Sequence, residues 1–177
     1  MTAGRDALRR LVVLRHAQAE AGGGMSDELR PLTLNGRRQS AEVGAALVAG
    51  GLVPETVLVS TAVRARQTWE LVRAAMGGVP APEVVLEDAL YDASPGEVTH
   101  LLRGVDERVR TVLVVGHEPT MSGVALALAM RQGSVADALS RVHTGLRTAA
   151  YAVLEVDVWA DLAPGRAVLR EVVRPAR

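Results

Sequence analysis

Apolar and polar positions fall into two kinds of block along the chain. Short apolar runs occur at Leu11–Leu14, Thr56–Val59, Val84–Leu86 and Thr111–Val115, and each predicts a strand. Between them lie longer stretches with apolar residues at helical spacing. These predict helices over about Leu34 to Val48, Ala62 to Met76 and Thr120 to Arg131. Gly50-Gly51 and Gly77-Gly78 follow the first two and stop them. Thr61 is the expected N-cap of the second. Ser94-Pro95-Gly96-Glu97 carries a capping box with Pro at the first helical position, predicting a helix to about Arg103. Asp137 to Arg141 is expected to add a turn or two. Ala149–Val158 and Ala167–Val173 read as two strands joined through Pro164-Gly165, close enough for an antiparallel hairpin. Gly22-Gly23-Gly24 reads as a flexible loop; it neither follows a strand nor opens a helix, so it is not a phosphate cradle.

Strands alternating with helices imply βαβ units. The expected fold class is α/β, a three-layer α/β/α sandwich with a mostly parallel central sheet. Ligands in such sheets bind beyond the carboxyl ends of the strands, where the strand order switches. The residues that leave each strand therefore matter most. Arg15-His16-Ala17 follows the first strand, Ser60 to Thr68 the second, and Gly116-His117-Glu118-Pro119 the strand at Thr111–Val115. Two of the four histidines thus stand at strand exits, together with Arg15 and Arg64.

Composition narrows the chemistry available there. The 177 residues include no cysteine, and all 20 Lys-plus-Arg positions are Arg, matched by 20 Asp and Glu. Without cysteine there is no disulfide, thiolate nucleophile or Cys-ligated metal site. Without lysine there is no Schiff base and no P-loop lysine. Balanced charge and only four aromatic residues argue against nucleic-acid binding. No apolar run reaches transmembrane length. The stretch before Leu11 has no apolar core of an export signal, so neither a signal peptide nor a twin-Arg signal on Arg9-Arg10 is expected, and the cytoplasm is the expected location. The length suits one domain.

His and Arg alone can build a phosphoryl site. The planar guanidinium of Arg matches phosphate oxygens, and a neutral imidazole can attack phosphorus. The motifs then form an ordered set. Leu14-Arg15-His16-Ala17 resembles the Arg-His-Gly signature of the histidine phosphatase superfamily. Arg30-Pro31-Leu32-Thr33 with Gly36 resembles the segment before that family's first helix. Ser60 to Thr68 is similar to its Ser-Pro-x-x-Arg-Ala-x-Gln-Thr motif, and Val115 to Pro119 to its second-histidine motif. Leu90-Tyr91-Asp92-Ala93 and Arg147-Thr148-Ala149-Ala150 resemble segments of the subfamily similar to the phosphohistidine phosphatase SixA.

The resemblance covers roughly Leu11 to Val158. It implies a single phosphoglycerate-mutase-like histidine phosphatase domain with no metal or organic cofactor. By that resemblance His16 is the nucleophile, Arg15 and Arg64 clamp the phosphoryl oxygens, and His117 completes the pocket. Arg30 lines the mouth. Glu87 or Asp88 falls where many relatives carry a general acid, and neither aligns clearly. The partner implied is a phosphorylated substrate: a phosphohistidine protein or a small phosphate compound. Ala17 stands for the usual Gly and Thr61 for the usual Pro; little effect is expected from either. A phosphoester phosphatase or mutase-like activity, a metal-dependent hydrolase using His16 and His117, and a silent phospho-binding module remain as alternatives. Arg66 and His100 are expected to be solvated helix residues, and His143 to lie in a loop. Trp69 and Trp159 are expected to pack in the core. The oligomeric state is left open.

Overall fold

Every position of the strands Thr56–Ser60 and Thr111–Gly116 is buried, which places both in the middle of a sheet covered on its two faces. The computed structural model describes residues 8–175. In chain order the elements are β1 (Arg9–Arg15), α1 (Leu34–Ala49), β2 (Thr56–Ser60), α2 (Val63–Ala75), β3 (Glu83–Glu87), α3 (Pro95–Arg103), β4 (Thr111–Gly116), α4 (Thr120–Leu128), α5 (Ala136–His143), β5 (Tyr151–Val156) and β6 (Ala167–Val173). Single 3-10 turns stand at Asp27–Leu29 and Asp88–Tyr91. The strands form one sheet in the order β3-β2-β4-β1-β5-β6. β3, β2, β4 and β1 are mutually parallel, and β5 runs antiparallel to both β1 and β6. This is the α/β sandwich with a mostly parallel sheet that the pattern predicts.

The alternation of side chains along each strand divides the core in two. Val12, Leu14, Leu113 and Val115 point to one face and meet Val43 and Leu47 of α1 and Ala65, Trp69 and Val72 of α2. Leu11, Val13, Val112 and Val114 point to the other and meet α3, α4 and α5 through Val98, Leu102, Val124, Leu128 and Val142. Truncating a fully buried leucine such as Leu47 to Ala would cost about 2–5 kcal/mol. α1 and α2 pack backbone to backbone at Gly44, where an added Cβ would lie 2.4 Å from the Val72 carbonyl oxygen.

Several boundaries differ from expectation, each for a visible reason. Thr61 is not the cap of α2. The first carbonyl to accept helical N–H groups is that of Ala62, from Ala65 and Arg66, so Thr61 lies one residue too early. α4 ends at Leu128 and not near Arg131. Ala129 there bridges to Ala167, and Met130 N–H donates to the Ala167 carbonyl, so the chain joins the edge of β6. α5 spans Ala136–His143, about two turns, slightly beyond the expected Asp137–Arg141, and His143 is its exposed last residue, not a loop residue. β5 starts at Tyr151 because Ala149 has a left-handed backbone, φ 59°, with its N–H directed at the carbonyls of Arg15 and His16. Gly23 and Gly24, both at positive φ, make a turn closed from Met25 N–H to the Gly22 carbonyl. Residues 1–7, where most of the stretch read for export signals lies, fall outside the described residues; Arg9 and Arg10 open β1. Among the described residues no helix is long and apolar enough to cross a membrane.

Candidate active site

β4 is inserted between β1 and β2, so the carboxyl ends of these three strands lie side by side. The β1–β4 register pairs Arg15 with Gly116, and His16 N–H donates to the Gly116 carbonyl at 3.0 Å. One residue further on stand His16 and His117, with ring centroids 5.1 Å apart. Both are nearly buried, at 8% and 7% exposure.

The hydrogen bonds of His16 assign its tautomer. Nδ1 lies 2.7 Å from the Ala17 carbonyl, which can only accept, so Nδ1 carries the proton. Nε2 is then the lone-pair nitrogen, and Arg64 Nε donates to it at 3.3 Å. Burial pushes the His16 imidazole down to about 3; the Ala17 carbonyl works against the shift, while His117, Arg64 and Arg15 add to it. His16 is therefore a neutral base at neutral pH.

His117 is arranged differently. Its Nε2 lies 2.8 Å from Ser60 Oγ at the end of β2, and its Nδ1 is buried with no partner among the described residues. Burial, then the charge of Arg64, lowers its pKa to about 4 against an opposing pull from Asp27. Arg15 donates from Nη1 to the Leu146 carbonyl at 2.9 Å, while its Nε is likewise buried and unpartnered among the described residues. Burial lowers the pKa of its guanidinium, partly offset by Glu118. Arg stays charged regardless. Two buried nitrogens with unmet hydrogen-bonding capacity thus belong to side chains beside a neutral histidine. Such a set suits acceptor oxygens of an anion.

The motif after β2 holds the site from several directions. Ser60 meets His117, and Arg64, on the first turn of α2, meets His16. Gln67 Oε1 accepts from Leu32 N–H at 2.8 Å. Thr68 Oγ1 accepts from Ala17 N–H at 3.0 Å and donates to the Arg64 carbonyl at 2.7 Å. Ala17 is fully buried and free of left-handed backbone strain, so the Gly-to-Ala departure is accommodated.

The loop between β1 and α1 supplies a feature that sequence reasoning missed. Its 3-10 turn brings Asp27 to the outer edge of Arg64. Arg64 Nη1 donates to the Asp27 carbonyl at 2.6 Å and Nη2 to Asp27 Oδ2 at 2.8 Å. The Tyr91 hydroxyl donates to the same Oδ2 at 2.5 Å, and the Tyr91 ring packs edge-on to His117 at 5.4 Å. The Tyr91 hydroxyl, Arg64 and Arg30 hold the Asp27 carboxyl well below the usual carboxylate range. In the sequence Tyr91 stands out only within the Leu90–Ala93 motif, and nothing near Asp27 signals its contact with Arg64.

The structure thus brings Arg15, His16, Arg64 and His117 together. Arg30 donates from Nε to Asp27 Oδ1 at 2.8 Å and from Nη1 to the Glu20 carbonyl at 2.8 Å, and its charge also bears on His117. Glu87 pairs in register with Ser60, and among the described residues neither it nor Asp88 hydrogen-bonds to a histidine. Glu87 accepts from Ala89 N–H, and Asp88 is exposed beside a surface depression shared with Glu28, Thr61, Arg66 and Tyr91. Arg66 and His100 are exposed, Trp69 and Trp159 buried. Among the described residues no three His, Asp or Glu side chains are grouped so as to hold a metal ion.

Comparison with known proteins agrees with this geometry. The sequence model of the histidine phosphatase superfamily (branch 1) matches residues 11–149. An uncharacterized protein of Mycobacterium tuberculosis, Rv1276c, is 41% identical over 157 residues, 88% of this chain and 96% of the relative. Among solved structures, a Nakamurella multipartitia protein assigned as the phosphohistidine phosphatase SixA is similar at TM-score 0.82 and 32% identity, covering 96% of this chain and 98% of its own. The protein histidine phosphatase SixA complexed with tungstate is similar at TM-score 0.74 and 27% identity, covering 94% and 97%. Its strand-exit histidines, the Ser60–Thr68 motif and these relatives agree: the chain belongs to the histidine phosphatase superfamily, in its SixA-like group.

Proposed function

We propose that this phosphatase works through a covalent phosphohistidine on His16 and that its substrate is a protein phosphohistidine. The observation that carries the mechanism is the tautomer of His16. With Nδ1–H held by the Ala17 carbonyl, the Nε2 lone pair is neutral and directed toward Arg64. Nε2 attacks phosphorus as the bond from phosphorus to the substrate imidazole breaks, and the proton that imidazole already carries on its other nitrogen lets it leave neutral. Water then attacks the phosphoryl group, phosphate leaves, and neutral His16 returns. Arg15, Arg64 and the Nδ1–H of His117 hold the phosphoryl oxygens as charge redistributes. An N–H on His117 Nδ1 requires the Ser60 hydroxyl to donate to Nε2.

Proton supply supports this substrate class. Asp27 is ionised by its three partners and cannot deliver a proton at neutral pH. Glu87 caps a turn, and Asp88 faces a neighbouring depression. Among the described residues no carboxyl hydrogen-bonds to either histidine, so an alkyl alkoxide leaving group receives no help there. An imidazole leaving group, which can arrive already protonated, needs none. The SixA-type neighbours point the same way. The mechanism needs no metal.

Wild-type protein treated with chelator is expected to dephosphorylate a phosphohistidine peptide much faster than a sugar phosphate, and to trap an acid-labile phosphoryl group. His16→Ala should abolish both turnover and trapping. Normal turnover in His16→Ala sinks the covalent mechanism. Loss of activity on chelation revives the metal-dependent reading, and preference for the sugar phosphate moves the substrate to small phosphoesters.

A further inference from the structure

Half of the Asp27 side chain faces solvent, yet Arg64, Arg30 and Tyr91 all converge on it. The Arg64 side chain is 6% exposed, so the pair keeps a nearly buried charge from standing alone. The cluster also fixes a geometry. Asp27 takes the outer edge of the Arg64 guanidinium twice, once with its backbone carbonyl and once with Oδ2. A guanidinium is planar, so fixing two of its nitrogens fixes the third. The third is Nε, which faces His16 Nε2. The aliphatic stem of Arg64 is buried on α2, so the outer edge is where the head would otherwise turn.

We propose that Asp27 is a positioning residue: it sets the plane of Arg64 so that the Nε edge addresses the phosphoryl group at His16, and Tyr91 and Arg30 hold the Asp27 carboxylate in register. This rests on the phosphatase reading above for its kinetic consequence, though not for its geometric one. The carboxylate also offsets one of three nearby cations. Removing it should therefore leave oxyanion binding intact or tighter while the reaction slows. A side chain that merely braced the loop would weaken both together.

The test uses Asp27→Ala, Asp27→Asn and Tyr91→Phe in the full chain, with inorganic tungstate as the binding probe. Asp27→Ala should lower kcat on phosphohistidine peptide by about 10- to 100-fold, within the range seen when a catalytic donor is misplaced or lost. The tungstate Kd should stay within about threefold or fall, as expected when an anion site loses a negative neighbour. Asp27→Asn should be intermediate, because its oxygen still accepts from Tyr91. Tyr91→Phe should lower kcat several-fold in wild-type protein and add little to Asp27→Ala, since the two act as one unit. An unchanged kcat, a raised kcat, or a parallel loss of tungstate binding each overturns the proposal. The ¹⁵N relaxation of Arg64 Nε reads the geometry without turnover: ordered in wild-type protein and averaged in Asp27→Ala. An Arg64 Nε equally ordered in the variant overturns the proposal. Absence of turnover in wild-type protein whose Arg64 loses order in Asp27→Ala overturns only the phosphatase reading.

Discussion

His16 and His117 leave neighbouring parallel strands one residue beyond the same paired position, and both are buried and neutral, yet their ring nitrogens are used in different ways. His16 has both nitrogens engaged, one by a carbonyl and one by Arg64, so its tautomer is set. His117 has one nitrogen on Ser60 and one with no partner among the described residues. Ser60 has a hydroxyl that can donate or accept, so the proton on His117 follows from what binds at Nδ1. A histidine with a defined lone pair suits attack; one with an adaptable N–H suits holding an oxygen. Nearly identical placement on the sheet thus supports two roles, and the difference comes from the neighbour across each ring.

Breaking the second role should cost less than breaking the first. Where His16→Ala abolishes turnover, His117→Ala should lower kcat by about 10²–10³, the usual cost of one donor to a charge-bearing oxygen, and should still trap phosphate on residue 16. Failure of that variant to trap would give His117 a part in the attack itself.

Protonation tests the shared property of the pair. Both imidazoles have folded pKa values below the ordinary 6.5, at about 3 and about 4. Arg15 and Arg64 press both of them down, and the Asp27 carboxylate opposes this at His117. Between the two pKa ranges the unfolded chain binds more protons than the folded one, so stability rises with pH there. The contribution is complete above about pH 6.5, the ordinary histidine value, and is lost as pH falls through the folded values. In an NMR titration His16 and His117 should show no midpoint between pH 5 and 8, and the thermal midpoint should drop as pH falls from 7 to 4. A midpoint near 6.5 on His16 would remove the burial argument for a neutral nucleophile.

The smallest effect is expected away from the pair. Glu87→Gln, which keeps the oxygen that accepts from Ala89 N–H, and Asp88→Asn on the surface should leave kcat on phosphohistidine peptide within about twofold. A tenfold loss in either would bring back a carboxyl acid and with it the phosphoester substrates.

How much of this was legible beforehand depended on how far apart in the chain the cooperating groups lie. The strands β1, β2 and β4 announced themselves as apolar runs, because the middle positions of each are buried on both faces and polar residues stand only at their ends. His16, Arg64 and His117 could be picked out because each follows a strand within a recognisable local motif. The end of α4 could not, because Met130 finds its hydrogen bond at Ala167. Nor could the start of β5, where Ala149 adopts left-handed backbone to serve the carbonyls of Arg15 and His16.

The amino-acid sequence by itself narrowed the kind of site: with no Cys and no Lys, a phosphoryl group can be attacked only by oxygen or imidazole and held by Arg, backbone N–H groups or a metal. It also placed those groups at strand ends, since local periodicity decides where strands stop. Tertiary structure alone decided that His16 Nε2 faces Arg64, that His117 Nε2 faces Ser60, and which edge of Arg64 is free. Those choices turn on Ser60 meeting His117 across 57 residues, Asp27 meeting Arg64 across 37, and Tyr91 meeting Asp27 across 64. Hydrogen bonds are short-ranged and directional, so contacts at such separations exist only once the sheet order has brought the three strand ends together.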